Sequence, residues 1–258
     1  MSAYLGTMET RRLMTLSELR KLLSSGGVSI GSWLQIPSPD VAEVMSTGDF
    51  DWLTIDMEHG AFDWSTLPNM IRAIETGGAV PLVRIPDQSR TSCAQALDSG
   101  AQGLIVPNIT TAAQIQAVID AASWPPSGTR GVGFSRANGF GRTFESYRES
   151  AQHPFIVAII ENVKALNGLE AICRIQGLDV VFVGPYDLSA SLGDPGNFHS
   201  EQFSTTVSQV LEVSKRLDKP VGIHVIEPSR KVLNESIAAG FQFIASASDA
   251  IFLRSSIV

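Results

Sequence analysis

Short apolar runs rich in Val, Ile and Phe alternate with amphipathic stretches from residue 29 to the end of the chain. A short apolar run bounded by turn formers reads as a strand buried on both faces. A longer stretch with apolar residues three and four apart reads as a helix with one buried face. Eight runs fit the first description, at residues 29–33, 52–56, 81–85, 103–107, 155–161, 180–183, 220–225 and 241–245. Helical pattern covers 39–46, 64–76, 90–98, 111–123, 164–174, 201–217 and 228–239, and residues 16–24 add a helix before the first strand. Strands and helices alternate in this way when parallel strands are joined by crossovers. Eight units with no change of pattern predict an α/β chain folded as a closed (β/α)8 barrel, one domain over residues 1–258 with an N-terminal helix. The alternative is a doubly wound open sheet, which the missing Gly-rich dinucleotide turn after the first strand disfavours. Gly100, Gly177 and Gly240 stand where a left-handed residue ends a helix before the next strand.

The pattern lapses once, over residues 124–141, where Pro125, Pro126 and five glycines interrupt it. Irregular stretches of that length in compact domains are functional or mobile. The last helical stretch is short, with only residues 250–258 after Asp249. No repeat, charge block or linker divides the chain.

Composition narrows the partners. The 258 residues are 44% hydrophobic and 17% charged, a balance of globular chains in which the surplus apolar surface suits a subunit interface. A formal charge of -7 argues against duplex nucleic acid or an anionic membrane as partner. An anionic substrate would therefore need a locally positive site. Cys93 and Cys173 fall in helical stretches without paired or metal-ligand spacing, which predicts buried thiols in a reducing compartment. No apolar run approaches the roughly 18–20 residues that span a bilayer, and residues 8–14, with Glu9, Arg11 and Arg12, lack a signal-peptide core, so the expected location is the cytoplasm.

Barrel sites form at the carboxyl ends of the strands, and polar residues accumulate there. Strand two runs into Asp56, Glu58 and His59, strand three ends at Arg84 and strand five at Glu161. Strand six continues through Gly184, Pro185 and Tyr186 to Asp187, and strand seven carries His224. Each has an ordinary explanation by itself. Asp56 or Asp187 can cap a helix, Glu161 can pair with a surface cation, and Arg84 can form a salt bridge at the barrel mouth. Their arrival on one rim from five strands points to a shared site. Glu161 and Asp187 close neighbouring strands, and two oxygen ligands with positions left for water and substrate suit Mg²⁺ or Mn²⁺ better than Zn²⁺. Arg84 brings a permanent positive charge for an enolate or carboxylate. His59 has the proton affinity of a general base near neutral pH. Asp98, at the end of the third crossover helix, either orients that imidazole or sits in solvent.

The chain resembles the HpcH/HpaI aldolases, class II pyruvate aldolases acting on 2-keto-3-deoxy sugar acids and 4-hydroxy-2-oxo diacids. The likeness runs from Gly31 to about Leu253. It rests on Phe50-Asp51-Trp52 leading into Ile55-Asp56-Met57-Glu58-His59, on Val83-Arg84, on Leu97-Asp98-Ser99-Gly100-Ala101-Gln102 and on Val106-Pro107. It continues through Trp124-Pro125-Pro126, Gly128, Arg130-Gly131-Val132-Gly133, Ile160-Glu161 and Gly184-Pro185-Tyr186-Asp187-Leu188-Ser189. The resemblance implies a barrel of the phosphoenolpyruvate/pyruvate type that joins or parts pyruvate and an aldehyde without an organic cofactor. Glu161 and Asp187 would hold Mg²⁺, Mn²⁺ or Co²⁺. His59 would move protons with Asp98 raising its basicity, Arg84 would stabilise the enolate, and backbone groups from Gly184 to Asp187 would seat the carboxylate. No lysine falls in a strand, as a Schiff-base aldolase would require. The resemblance also implies a homo-oligomer, a hexamer or trimer of dimers.

Three positions depart from that pattern. Ile159 stands where relatives carry Gln, His224 replaces an apolar strand-seven residue, and the final helix is short. His224 then either touches the aldehyde or packs as a bystander. In the Gly-rich segment 131–142, Arg136 is the best match to an arginine that holds the aldehyde, although a phosphate cradle or simple flexibility fits the glycines as well. Two other readings compete: a lyase of acyl-CoA thioesters, which needs a basic groove, and a barrel that binds without catalysis.

Overall fold

Eight parallel strands close into a barrel in the computed structural model, which describes residues 13–150 and 153–257. Most of the 8–14 stretch considered above therefore lies outside the described residues. The strands are β1 (Ser29–Leu34), β2 (Trp52–Asp56), β3 (Val80–Arg84), β4 (Gly103–Val106), β5 (Phe155–Ile160), β6 (Val180–Val183), β7 (Val221–Val225) and β8 (Phe243–Ser248). Each pairs with the next, and β8 returns to β1. Closure removes the open-sheet alternative.

The helices are α1 (Leu16–Ser24), α2 (Pro39–Ser46), α3 (Leu67–Thr76), α4 (Arg90–Asp98), α5 (Ala112–Ala122), α6 (Phe144–Ser150), α7 (Leu169–Cys173), α8 (Pro185–Ser191), α9 (Glu201–Arg216), α10 (Arg230–Ala239) and α11 (Asp249–Ser255). Their starts are chemically marked. Thr15 with Glu18 and Thr111 with Gln114 form capping boxes at α1 and α5, and Ser38, Ser89, Ser200, Ser229 and Ser248 each accept a first-turn N–H. Gly100, Gly177 and Gly240 all take positive φ, as their positions predict.

Alternation along the strands sends one set of side chains inward and the other against the helices. The inward set stacks in layers. Trp52 lies flat on Phe243, ring centroids 4.0 Å apart, and Phe155 and Phe182 close on the same ring. Room for these rings comes from glycines: a Cβ at Gly31 would sit 2.1 Å from the Trp52 ring, and one at Gly222 would sit 2.5 Å from Phe182. Helix α1 plugs the amino-terminal end with Leu19 and Leu23, and its Arg20 reaches Asp179 at 2.7 Å and the Pro154 carbonyl at 3.0 Å.

Three local expectations change. Stretch 164–174 breaks at Gly168 into a 3-10 turn (Val163–Gly168) and the short α7. The last strand runs 243–248 rather than 241–245, because Ser246 pairs with Val225 of β7 and, past an irregularity, Ser248 pairs with Trp33 of β1 after the apolar run has ended. Helices α6 and α8 follow segments with too few apolar residues to show a helical period. Among the described residues no helix is long and apolar enough to cross a membrane.

Candidate active site

At the carboxyl-terminal rim, Asp56 is the fixed point. Its side chain is fully buried and accepts from Arg84 Nε at 2.8 Å, Arg84 Nη2 at 2.5 Å, Gln35 Nε2 at 3.1 Å and the backbone N–H groups of Glu58 and His59 at 3.2 and 3.1 Å. Burial by itself would raise this carboxyl. The Arg84 bonds and charge, with the His59 and Gln35 contacts, outweigh it and hold Asp56 below the usual carboxylate range. Asp56 therefore shapes the turn that presents His59 and also anchors the guanidinium. Arg84 is held a third way, 4.6 Å above the Trp33 ring, and its Nη1 is 3.3 Å from Glu58 Oε2. His59 projects outward, its side chain 58% exposed, with Nε2 4.0 Å from the same Glu58 carboxylate.

Glu161 follows β5 and is 6% exposed. Its Oε1 accepts the Asn108 N–H at 2.6 Å, a donor aimed by the left-handed φ of 56° that asparagine tolerates. Its Oε2 lies against Gly184, where a Cβ would come within 2.8 Å, so the glycine lets β6 end beside this carboxylate. Burial, against the opposing Asn108 bond and with the charges of Asp187 and Glu58 adding to it, pushes Glu161 up to about 7. Asp187 is exposed in the first turn of α8, whose cap is the Gly184 backbone, so it is not the N-cap considered above. Among the described residues neither Glu161 nor Asp187 has a cationic side chain within 4 Å.

Asp56 and Glu58 pair with the one guanidinium, Glu161 feels its charge, and Asp187 acts by charge on both Glu58 and Glu161. Four carboxylates against one arginine repel an anionic oxo acid unless a cation joins them. Their donors are hard oxygens, and Glu161 and Asp187 are the two left without a positive partner, which fits a divalent ion of the Mg²⁺ type. Among the described residues no three His, Cys, Asp or Glu side chains are grouped to hold an ion, and an ion on this pair would take its remaining ligands from water or substrate.

The other rim residues fall as follows. Pro185 is buried at the start of α8, while Tyr186 is 55% exposed with its ring 5.0 Å from Phe198. Ile159 packs in the apolar interior below Glu161. His224 points inward from β7 and is partly buried, its ring 5.8 Å from Trp33. Trp33, Gln35, Asn108 and Asp249 carry no role in the sequence argument. Asp249 accepts the Gln35 and Ile36 N–H groups at 2.9 Å and so fastens the end of β1. The alternation Gly31, Trp33, Gln35 along β1 is the signal that puts the last two on the inner face.

Two of the expected residues lie elsewhere within the chain. Within the chain Asp98 does not orient His59. Helix α4 runs away from the rim, and at its far end Asp98 accepts from Arg130 Nη2 at 2.6 Å. Arg136 also lies at the foot, bonded to the Ser99 carbonyl at 3.1 Å and to Glu75 at 2.5 Å, and not beside the rim carboxylates. A cavity of about 680 Å³ opens at this foot, but its Arg20, Arg130 and Arg136 are already paired with Asp179, Asp98 and Glu75. The unbalanced charge is at the other end.

Residues 29–255 match the family model described as HpcH/HpaI aldolase/citrate lyase. The chain is 34% identical over 241 residues to a hydroxypyruvate/pyruvate aldolase of Roseobacter denitrificans, covering 92% of this chain and 93% of that protein. It is 33% identical over 237 residues to a 4-hydroxy-2-oxovalerate aldolase of Novosphingobium aromaticivorans, covering 90% and 88%. In structure it is similar to an HpcH/HpaI aldolase/citrate lyase family protein from Burkholderia cenocepacia, with a TM-score of 0.88 and 30% identity over 94% of this chain and 96% of that one.

Proposed function

The chain belongs to the HpcH/HpaI aldolase/citrate lyase family, and from that premise we propose that it reversibly cleaves a 4-hydroxy-2-oxo acid to pyruvate and an aldehyde, with a divalent cation on Glu161 and Asp187. The observation that carries this reading is the meeting of Arg84, His59 and the cation-free pair Glu161 and Asp187 on one rim. When bound, the cation supplies Lewis acidity toward the keto group.

The chain's own residues do the rest. His59, exposed to solvent, takes the proton of the C4 hydroxyl, directly or through water. The C3–C4 bond then breaks, its electrons passing to the pyruvate enolate as the aldehyde leaves. His59 returns the proton to C3 and pyruvate's methyl group is complete. Arg84 faces the developing enolate charge, and its clamp on Asp56 keeps it from following the substrate out. The first-turn N–H groups of α8, after Gly184, are available to the substrate carboxylate. None of the five lysines lies in a strand, which supports this route over a Schiff base. A homo-oligomer belongs to the same reading, supported by the exposed Val132, Phe134 and Phe140. Among the described residues no concentrated basic groove favours the thioester lyase.

The test is hydrogen–deuterium exchange at the methyl group of pyruvate, followed by NMR with Mg²⁺, Mn²⁺ or Co²⁺. Exchange that needs the ion and is lost in Glu161→Ala and Asp187→Ala is the expected result. No exchange with any ion in folded protein refutes the proposal.

A further inference from the structure

His224 takes no part in the proton movements above, yet it stands beside the groups that do. Its ring is 5.8 Å from Trp33, whose face carries Arg84 at 4.6 Å. Nε2 is 3.2 Å from the Ala247 carbonyl oxygen. A carbonyl only accepts, so Nε2 carries the proton, and in a neutral ring Nδ1 is then a bare acceptor. The ring stays neutral because burial pushes it down to about 4, the Ala247 bond opposing and Arg84 assisting, with Asp56 on the other side of the balance. The same Ala247 carbonyl lies 3.3 Å from Ser32 Oγ, and Ala247 has φ of 51°, a conformation alanine rarely adopts. The tautomer is thus imposed by the backbone of β8.

What remains is a neutral acceptor beside the Trp33 ring and across from Ala245 of β8, both buried apolar residues. A substrate carboxylate would bring lone pairs against a lone pair. An alkyl group would strip Nδ1 of its water and return no bond. A hydroxyl would donate to it. Resting on the aldolase reading, we propose that His224 is a specificity-determining residue whose Nδ1 accepts a hydrogen bond from a hydroxyl of the aldehyde, so that the site prefers a hydroxyaldehyde to its deoxy counterpart.

The experiment condenses pyruvate with glycolaldehyde or acetaldehyde in the Mg²⁺-loaded protein and reads the ratio of kcat/KM for the two. It compares wild type with His224→Phe, which keeps a ring but no nitrogen, and with His224→Asn, which keeps an acceptor near Nδ1. Removing a hydrogen bond from a largely desolvated acceptor is expected to lower the ratio about 10- to 100-fold in the Phe variant, through glycolaldehyde, while Asn retains part of it. His224→Leu replaces the Phe variant if that protein does not fold. A packing role would lower both aldehydes together, so an unchanged ratio overturns the assignment. Methyl exchange without condensation of either aldehyde also overturns it and leaves the pyruvate chemistry standing. Absence of both exchange and condensation refutes the aldolase reading, and this inference with it.

Discussion

The two ends of the barrel treat charge in opposite ways. At the foot the three arginines lining the cavity each have a partner: Arg20 with Asp179, Arg130 with Asp98 and Arg136 with Glu75. At the rim Arg84 pairs with Asp56 and Glu58 while Glu161 and Asp187 have no cationic partner, and the buried Glu161 is pushed up to about 7. The foot is electrostatically finished and contributes to folding. The rim is left unbalanced, a state that costs stability and is relieved by what binds there. The cavity at the foot therefore says less about function than the unmatched charge at the rim.

Breaking the rim's one guanidinium should have the largest effect. Arg84→Ala leaves Asp56 buried without its counter-charge, so a loss of about 3–5 kcal/mol in urea unfolding is expected, together with loss of methyl exchange. A stable, active Arg84→Ala protein would erase the contrast. Glu161→Gln should act in opposite senses on activity and stability. A carboxyl with a folded pKa near 7 against an ordinary 4.5 weakens the fold as pH rises between those values, and the penalty is complete above the folded value. In chelator at pH 8 the variant should gain about 3 kcal/mol while losing exchange; below pH 4.5 the gain should vanish.

Asp56 has the reverse sign. Its folded pKa lies below the ordinary 3.8, so its contribution is present above that value and is lost as pH falls through the folded one. Stability measured down the acid limb should fall less steeply in Asp56→Asn, from a lower starting level. At the foot, Asp98→Ala strands the buried Arg130 and should cost about 2 kcal/mol. Loss of exchange in an Asp98→Ala protein of undiminished stability would break the division between the two ends. Glu75→Gln, at a pair open to solvent, should cost less than about 1 kcal/mol by the same unfolding assay.

Much of the rim was legible because strand ends are where an apolar run stops, and Asp56, Arg84 and Glu161 stand at such stops. Asp187 was legible as a residue but not as part of a helix, since Pro185 and Tyr186 hide the start of α8 from any periodicity. Trp33 and Gln35 were missed because a Trp in an apolar run reads as core, and Gln35 lies just past it. Only the Arg84 contact to one and the Asp56 contact to the other give them a place in the site. Within the chain Asp98 and Arg136 lie away from the rim for a different reason. Sequence proximity to strand ends says nothing about which end of the barrel a crossover helix or loop has reached.

Alternation of short apolar runs with amphipathic stretches, Ser and Thr caps and helix-ending glycines was enough to determine eight βα units, because each of those features acts over a few residues. Barrel closure, the Asp56–Arg84–Trp33 clamp, the tautomer of His224 and the pairing of Asp98 with Arg130 were decided only in the tertiary structure. Each joins residues far apart in the chain. Whether a charge finds a partner depends on distances that closure of the sheet sets and local pattern does not contain.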